Sequence, residues 1–406
     1  MSLKLLLLGG IVLLFFMFNM SELWSKRFFY FTMVMYLIRQ LEIQPIGDIT
    51  PAAYITIPLF FLAVGHDIHL IRKWSIFLVY ISISLIIGWL GPEPERAFEW
   101  IFPLLVSMML AVIPEYIIKS EADLNVYIKI ILAVSAVFSI TTIMGFLGIA
   151  DGTVILAQDV DPENMHSSRV YGITNSNLIQ MVTVASIAIL PTAKLKFRWL
   201  EWAFIAITMF AVLVTLKRMT FIALLLSLGY YLYIQLRGGK KDTVVVVAIL
   251  FIVLIPSFWH YLSYRFSIMG IGGGGELADH SAQSRIERIS IAKTAFEQSP
   301  VWGKGAGYVT YVHNGLFEIL GNCGLLGIFA ILLSFFPRPK DIIAMNPWAV
   351  AIFIFSAIGL MLESTINHTQ LMAFLGMFFG GYYVSRNLNI DYNTELQKCE
   401  ETDSQS

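Results

Sequence analysis

Four places in this chain set polar or ionisable side chains against apolar sequence. Arg169 opens an apolar segment in the run Arg169-Val-Tyr-Gly172-Ile-Thr-Asn175-Ser-Asn177. Lys217-Arg218 separates two apolar runs with almost no loop between them. His313-Asn314 follows the approach Ser299-Pro-Val-Trp-Gly303-Lys-Gly305-Ala-Gly307 and precedes Glu318. Glu363 and His368 flank the turn Glu363-Ser-Thr-Ile-Asn367-His368. An ionisable group in a membrane helix costs about 2.5–3.5 kcal/mol on insertion scales, so its presence argues for a function such as anion binding or proton transfer. Each place also has a bland reading. Arg169 is a snorkelling residue at a helix end. A structural Lys217-Arg218 needs a carboxylate, and none is adjacent in sequence. His313 alone is a satisfied interfacial histidine, although the glycines, Asn314 and Glu318 beside it favour chemistry. Glu363 and His368 read as a supporting polar wall.

The elements that must position these residues are membrane helices. The chain has 406 residues, of which 57% are hydrophobic and 14% charged, with a mean hydropathy of +0.73. Soluble domains are about 45–50% apolar and about 25% charged. About thirteen apolar segments are long enough, or nearly so, to cross roughly 30 Å of hydrocarbon. They fall near 3–20, 28–44, 51–65, 74–90, 98–118, 125–149, 172–191, 199–216, 218–236, 243–260, 313–335, 347–363 and 368–385. Lipid offers no partner to open strand edges, so the expected fold is all-α, a polytopic transmembrane helical bundle. The first run lacks a small-residue cleavage site and reads as a retained span. Cys323 and Cys399 support neither a disulfide framework nor a metal site. A net charge of −1 with scattered basic residues gives no footprint for nucleic acid.

Lys and Arg in the short loops set the orientation. Lys26-Arg27, Arg72-Lys73, Lys119, Lys194/Lys196/Arg198, Arg237/Lys240/Lys241, Arg338/Lys340 and Arg386 fall in alternate connections, expected to be cytoplasmic. The connections around Gly91–Glu95, 150–171 and 261–312 are then expected outside. Thirteen spans put the N-terminus outside; twelve, with both ends inside, is the alternative. Residues 1–390 read as one transmembrane domain and 391–406 as a disordered cytoplasmic tail. Within the loop 261–312, Gly272–Gly275 is a flexible break and Ser284-Arg-Ile-Glu287 reads as a capping box. A short amphipathic helix over 284–298, ended by Pro300, is expected on the membrane surface. All four polar places map to the outer side.

Taken together, these residues resemble a known signature. Ser284-Arg285-x-x-Arg288, Ser299-Pro300-x-x-Gly303-x-Gly305, His313-Asn314, Glu318, Gly324 and Gly327 are similar to the O-antigen polymerase and ligase family. So are Arg169-x-x-Gly172 with Asn175 and Asn177, and Lys217-Arg218 at the next outward hairpin. The resemblance covers roughly residues 150–335. It implies a GT-C-like membrane glycosyltransferase of the bacterial cytoplasmic (inner) membrane, acting at the outer face. The implied substrates are undecaprenyl-diphosphate-linked oligosaccharides as donor and acceptor, with no metal and no nucleotide sugar. Membrane lipid and a chain-length regulator are the implied partners.

Carried over residue by residue, Arg169 and Arg218 would grip the donor diphosphate, because the planar guanidinium donates two bonds to one phosphate. His313 would deprotonate or contact the attacking hydroxyl, or help hold the diphosphate. Arg285 and Arg288, at i and i+3 on one helix face, would escort the diphosphate or close over it. Lys217 stands where the family pattern has a small or hydroxyl residue, so either Lys217 or Arg218 could touch phosphate. Asn175, Asn177, Asn314, Glu318, Glu363 and His368 complete the expected substrate wall. Within this reading, a polymerase joining lipid-linked repeats is favoured and a ligase acting on a lipid A-core or other acceptor is the runner-up. The competing class is a transporter of lipid-linked oligosaccharide, for which inverted repeats and midplane charges are expected.

Overall fold

A backbone amide in hydrocarbon has no partner outside the protein, and the described residues answer with helices and no strand. The computed structural model describes residues 22–38, 51–91, 93–147, 180–215, 218–267, 276–310, 312, 314–362, 369–388 and 390. In chain order the helices are α1 (Glu22–Ile38), α2 (Pro51–His66), α3 (His69–Arg72), α4 (Ser75–Trp89), α5 (Pro94–Ile117), α6 (Glu121–Phe146) and α7 (Gln180–Ile189). There follow α8 (Arg198–Thr215), α9 (Arg218–Arg237), α10 (Lys241–Ser267), α11 (Glu276–Gln298), α12 (Gly315–Phe335), α13 (Pro339–Ile343), α14 (Pro347–Ile354) and α15 (Thr369–Asn387). A 3-10 turn, Leu190–Thr192, extends α7, and a π-helix, Phe355–Leu362, continues α14. Among the described residues, five helices are long and apolar enough to cross a membrane and four shorter ones are apolar. The first expected span, 3–20, and the tail 391–406 lie outside the described residues.

The basic loops gather at one end of the bundle, as their alternation predicts. Lys26 donates to Asp123 at 3.0 Å, which sets the start of α1 beside the start of α6. Lys73 pairs with Glu115, and Asn387 donates to the same carboxylate at 3.2 Å. Burial pulls the Lys73 ammonium below the usual lysine range, while Glu115 beside it pulls the other way. Its Nζ lies 3.4 Å from the centre of the Tyr383 ring. Arg198 pairs with Asp242 at 2.7 Å, and the backbone amide of Lys194 donates to Asn125 at 3.1 Å. Trp74, Phe77, Phe335, Phe379 and Tyr383 pack edge-to-face or tilted at this end. Such pairs are worth about 0.5–1.5 kcal/mol each beyond their burial. The N-termini of α5, α9 and α12 are therefore at the opposite end.

The axis of the bundle is α5 packed in parallel along α15. Gly376 lies against the Ser107 backbone and Gly380 against Pro114, where a Cβ would collide. Small residues let membrane helices approach closely, and dispersion then replaces the absent hydrophobic drive. The Tyr127 hydroxyl donates to the Met377 carbonyl at 2.7 Å and so ties α6 to α15. Inside, Ser135 and Ser186 bond at 2.9 Å, and the Gln180 amide donates to Thr142 at 2.7 Å, joining α6 to α7.

Two expectations need correction. The helix α11 has 23 residues and starts at Glu276, so Ser284 lies two turns inside it and not at its N-terminus. The residues Glu276 to Gln283 carry no apolar stripe, yet they extend the helix at its N-terminus, because local capping signals yield to a longer hydrogen-bonded run. The expected single span 313–335 is broken: Gly324 has φ 64° and ψ −163° inside α12.

Candidate functional site

The break at Gly324 explains the glycine-rich approach. A kink in a buried helix strips carbonyls and amides of their partners, and each unmet group costs several kcal/mol in an apolar medium. The segment 299–305 supplies the replacements. Leu325 N–H donates to Pro300 at 2.9 Å and Leu326 N–H to Val301 at 3.3 Å. In return, Lys304 N–H donates to Gly321 at 3.0 Å and Gly305 N–H to Asn322 at 2.9 Å. The loop is sewn into the broken helix. Gly303, at φ 72°, lies against the backbone of Asn322 and Cys323, a place and a conformation that no side chain fits.

Beyond this seam the chain climbs to the start of α12. Asn322, fully buried, grips Val309 twice: its amide donates to the carbonyl at 2.7 Å and its oxygen accepts from the N–H at 2.7 Å. Val309 and Val312 pack on Ala292 and Ala295 of α11. Glu318 is fully buried; its carboxylate accepts from Trp100 Nε1 at 2.9 Å and from Val312 N–H at 3.3 Å. Asn314 caps α12, its side-chain oxygen accepting from Phe317 N–H at 3.2 Å. The residues on either side of position 313 are thus each fixed by hydrogen bonds. Asn314 and Glu318, both expected to touch substrate, each make hydrogen bonds that hold this corner.

His313 itself lies outside the described residues, as do Arg169, Asn175, Asn177, Lys217, Glu363 and His368. The helices that carry these segments do converge. Each of α7 and α9 starts at the end opposite the basic loops, and the two pack side by side. The π-helix Phe355–Leu362 ends toward the same side and packs against α7, α9 and α12. Consequently Gln180, Arg218, Leu362 and Asn314, the described residues nearest the four polar places, belong to neighbouring helices and lie toward one end. Arg218 is the first residue of α9, at that end. Arg285 and Arg288 lie on α11, which packs on α12, and Arg288 is exposed. Wide π turns recur at functional sites, and this one leads directly to Glu363.

Sequence reasoning missed Trp100 and Asn322, which hold this corner from α5 and α12. A fully buried Asn in a membrane helix was itself a signal. Trp100 had none, because its partner is 218 residues away in sequence.

Comparison with known proteins adds one match: residues 202–332 fit the family model described as O-antigen ligase. No curated protein matches the chain. The matched segment runs from α8 to α12 and holds Arg218, α11 and His313, whereas Arg169 and Glu363 lie beyond it. The likeness covers about a third of the chain, and over that segment it agrees with the resemblance to the O-antigen polymerase and ligase family.

Proposed function

We propose that the protein is a polysaccharide polymerase that transfers an undecaprenyl-diphosphate-linked glycan onto another lipid-linked repeat at the outer face of the cytoplasmic membrane. The observation that carries the reading is the convergence of α7, α9, α12 and the π-helix at the end opposite the basic loops. In the transfer, a hydroxyl oxygen of the acceptor sugar bonds to the anomeric carbon of the donor, and the bond from that carbon to the diphosphate oxygen breaks. His313 takes the hydroxyl proton. Arg169 and Arg218 receive the leaving diphosphate, and their bonds strengthen as its charge grows, which lowers the barrier and not only the substrate's free energy. Arg285 and Arg288 on α11 form a cover over the site. The donor bond stores the energy for the step.

The description of the matched family favours a second reading, ligation of the finished glycan to a non-repeat acceptor. Deleting the gene separates the two. Loss of a polymerase leaves single repeats on the acceptor, whereas loss of a ligase leaves none and accumulates long lipid-linked chains. The transporter reading fits less well. Among the described residues, the buried charged side chains are Glu115 and Glu318, near opposite ends of the bundle. Purified protein in detergent with lipid-linked repeats should lengthen glycan with no gradient; no lengthening under conditions where a relative of the family works would refute the enzyme.

A further inference from the structure

A cleft of about 190 Å³ opens between the α4–α5 connection and the loop that is sewn into α12. Its walls include Gly88, Glu93, Arg96, Lys304, Gly307 and Tyr308. It lies at the end opposite the basic loops, so the cations here are not part of the orientation signal. Arg96 pairs with Glu93 at 2.6 Å, which leaves one carboxylate in the cleft for two cations. Lys304 is half-buried and has no carboxylate partner among the described residues. Tyr308 is 49% exposed and offers an aromatic face.

The cleft is also tied to the corner at position 313. Arg96 sits one helical turn beyond Trp100, on the same face of α5, since i and i+4 are neighbours about 6 Å apart along the axis. Trp100 holds Glu318, and Glu318 holds Val312. Tyr308 adjoins Val309, which Asn322 clamps. A group seated in the cleft would therefore be held at a fixed offset from Val312, just before α12.

We infer that this cleft is a subsite for one acidic sugar of the glycan. The volume suits a single ring: with about 30 Å³ per water in the liquid, it holds roughly six waters' worth of ligand. A net positive balance suits a carboxylate or phosphate on that ring. Glu93 and the backbone accept from ring hydroxyls, and Tyr308 stacks on the ring's apolar face. The identity of the ligand as glycan rests on the transfer reading above; the binding itself is tested without transfer.

The test is saturation-transfer NMR on the purified full-length protein in detergent, with glucuronate and glucose as probes and inorganic phosphate as competitor. The expected result is glucuronate binding roughly tenfold tighter than glucose, the effect of one charge-assisted bond. Lys304→Ala should erase that preference, Lys304→Arg should keep it, and Tyr308→Ala should weaken both sugars. Equal binding of the two sugars by the wild type would overturn the subsite, as would glucuronate binding unchanged in Lys304→Ala. Phosphate displacing glucuronate at equal concentration would reduce the site to anion binding and also refute it. An unchanged melting temperature in Lys304→Ala separates lost binding from lost fold. Because the binding is read with free sugars and no transfer, a failed transfer reading and a failed subsite give different results.

Discussion

Replacing Glu318 with alanine removes the acceptor for two buried donors at once. Trp100 Nε1 and Val312 N–H now end on the carboxylate at 2.9 and 3.3 Å, and both the tryptophan and Glu318 are fully buried. A buried donor left without a partner costs about 1–3 kcal/mol, so Glu318→Ala should destabilise the protein by about 2–6 kcal/mol. Glu318→Gln keeps one oxygen but turns an amide N–H₂ toward the second donor, for a loss of about 1–3 kcal/mol. Trp100→Phe removes one donor and frees one carboxylate oxygen, a similar loss. The two substitutions combined should cost less than their sum, because each has already broken the bond that the other removes. Activity should follow: a misplacement of about 1 Å at a catalytic group costs on the order of a hundredfold. The assay is a double-mutant cycle read by thermal unfolding of purified protein, with the length distribution of cell-surface glycan in parallel. If Glu318 contacts substrate instead, Glu318→Gln would abolish glycan extension at an unchanged melting temperature and Trp100→Phe would be silent. That pattern, or strict additivity, would refute the positioning role.

Arg218→Ala and Arg169→Ala should each abolish glycan extension while the protein still accumulates in membranes; a near-normal glycan ladder in either variant removes that residue from the site. His313→Ala should do the same. Gly324→Ala puts a side chain into a backbone region that glycine alone occupies freely, a strain of about 1–3 kcal/mol, and drives its Cβ at the Val301 carbonyl. Unfolding temperature and glycan length should both fall, and Gly324→Ala with wild-type values would disprove the sewn-loop account. Glu115→Ala leaves the Lys73 charge half-buried without its carboxylate; since that lysine side chain is 28% exposed, the loss should stay below the about 3–5 kcal/mol of a fully buried pair. Removing both charges, as Glu115→Leu with Lys73→Met, should recover stability relative to Glu115→Ala, and a further loss would contradict the pairing.

The helical class, the positions of most apolar helices and the gathering of basic loops at one end follow from the sequence. Apolar length and the lack of backbone partners in lipid admit one secondary structure, and the alternation of Lys and Arg orients it. The motif around positions 299–318 was legible as a motif, but the job of each residue was not. Gly303 and Gly324 are the surfaces on which a loop enters a broken helix, and that break is visible only where Pro300 and Val301 meet Leu325 and Leu326. Glu318 and Asn314 read as substrate groups because a polar residue near a span has no local partner. Their partners are Trp100, Val312 and Phe317, of which Trp100 comes from a helix far away in sequence. The capping box at Ser284 failed for the related reason that a local signal does not report how far a helix continues. Sequence periodicity and charge determined which segments are apolar helices and which of their connections gather at one end. Only the tertiary structure decided which polar groups are consumed in holding the fold, because satisfying a buried hydrogen bond depends on neighbours that the order of the chain does not reveal.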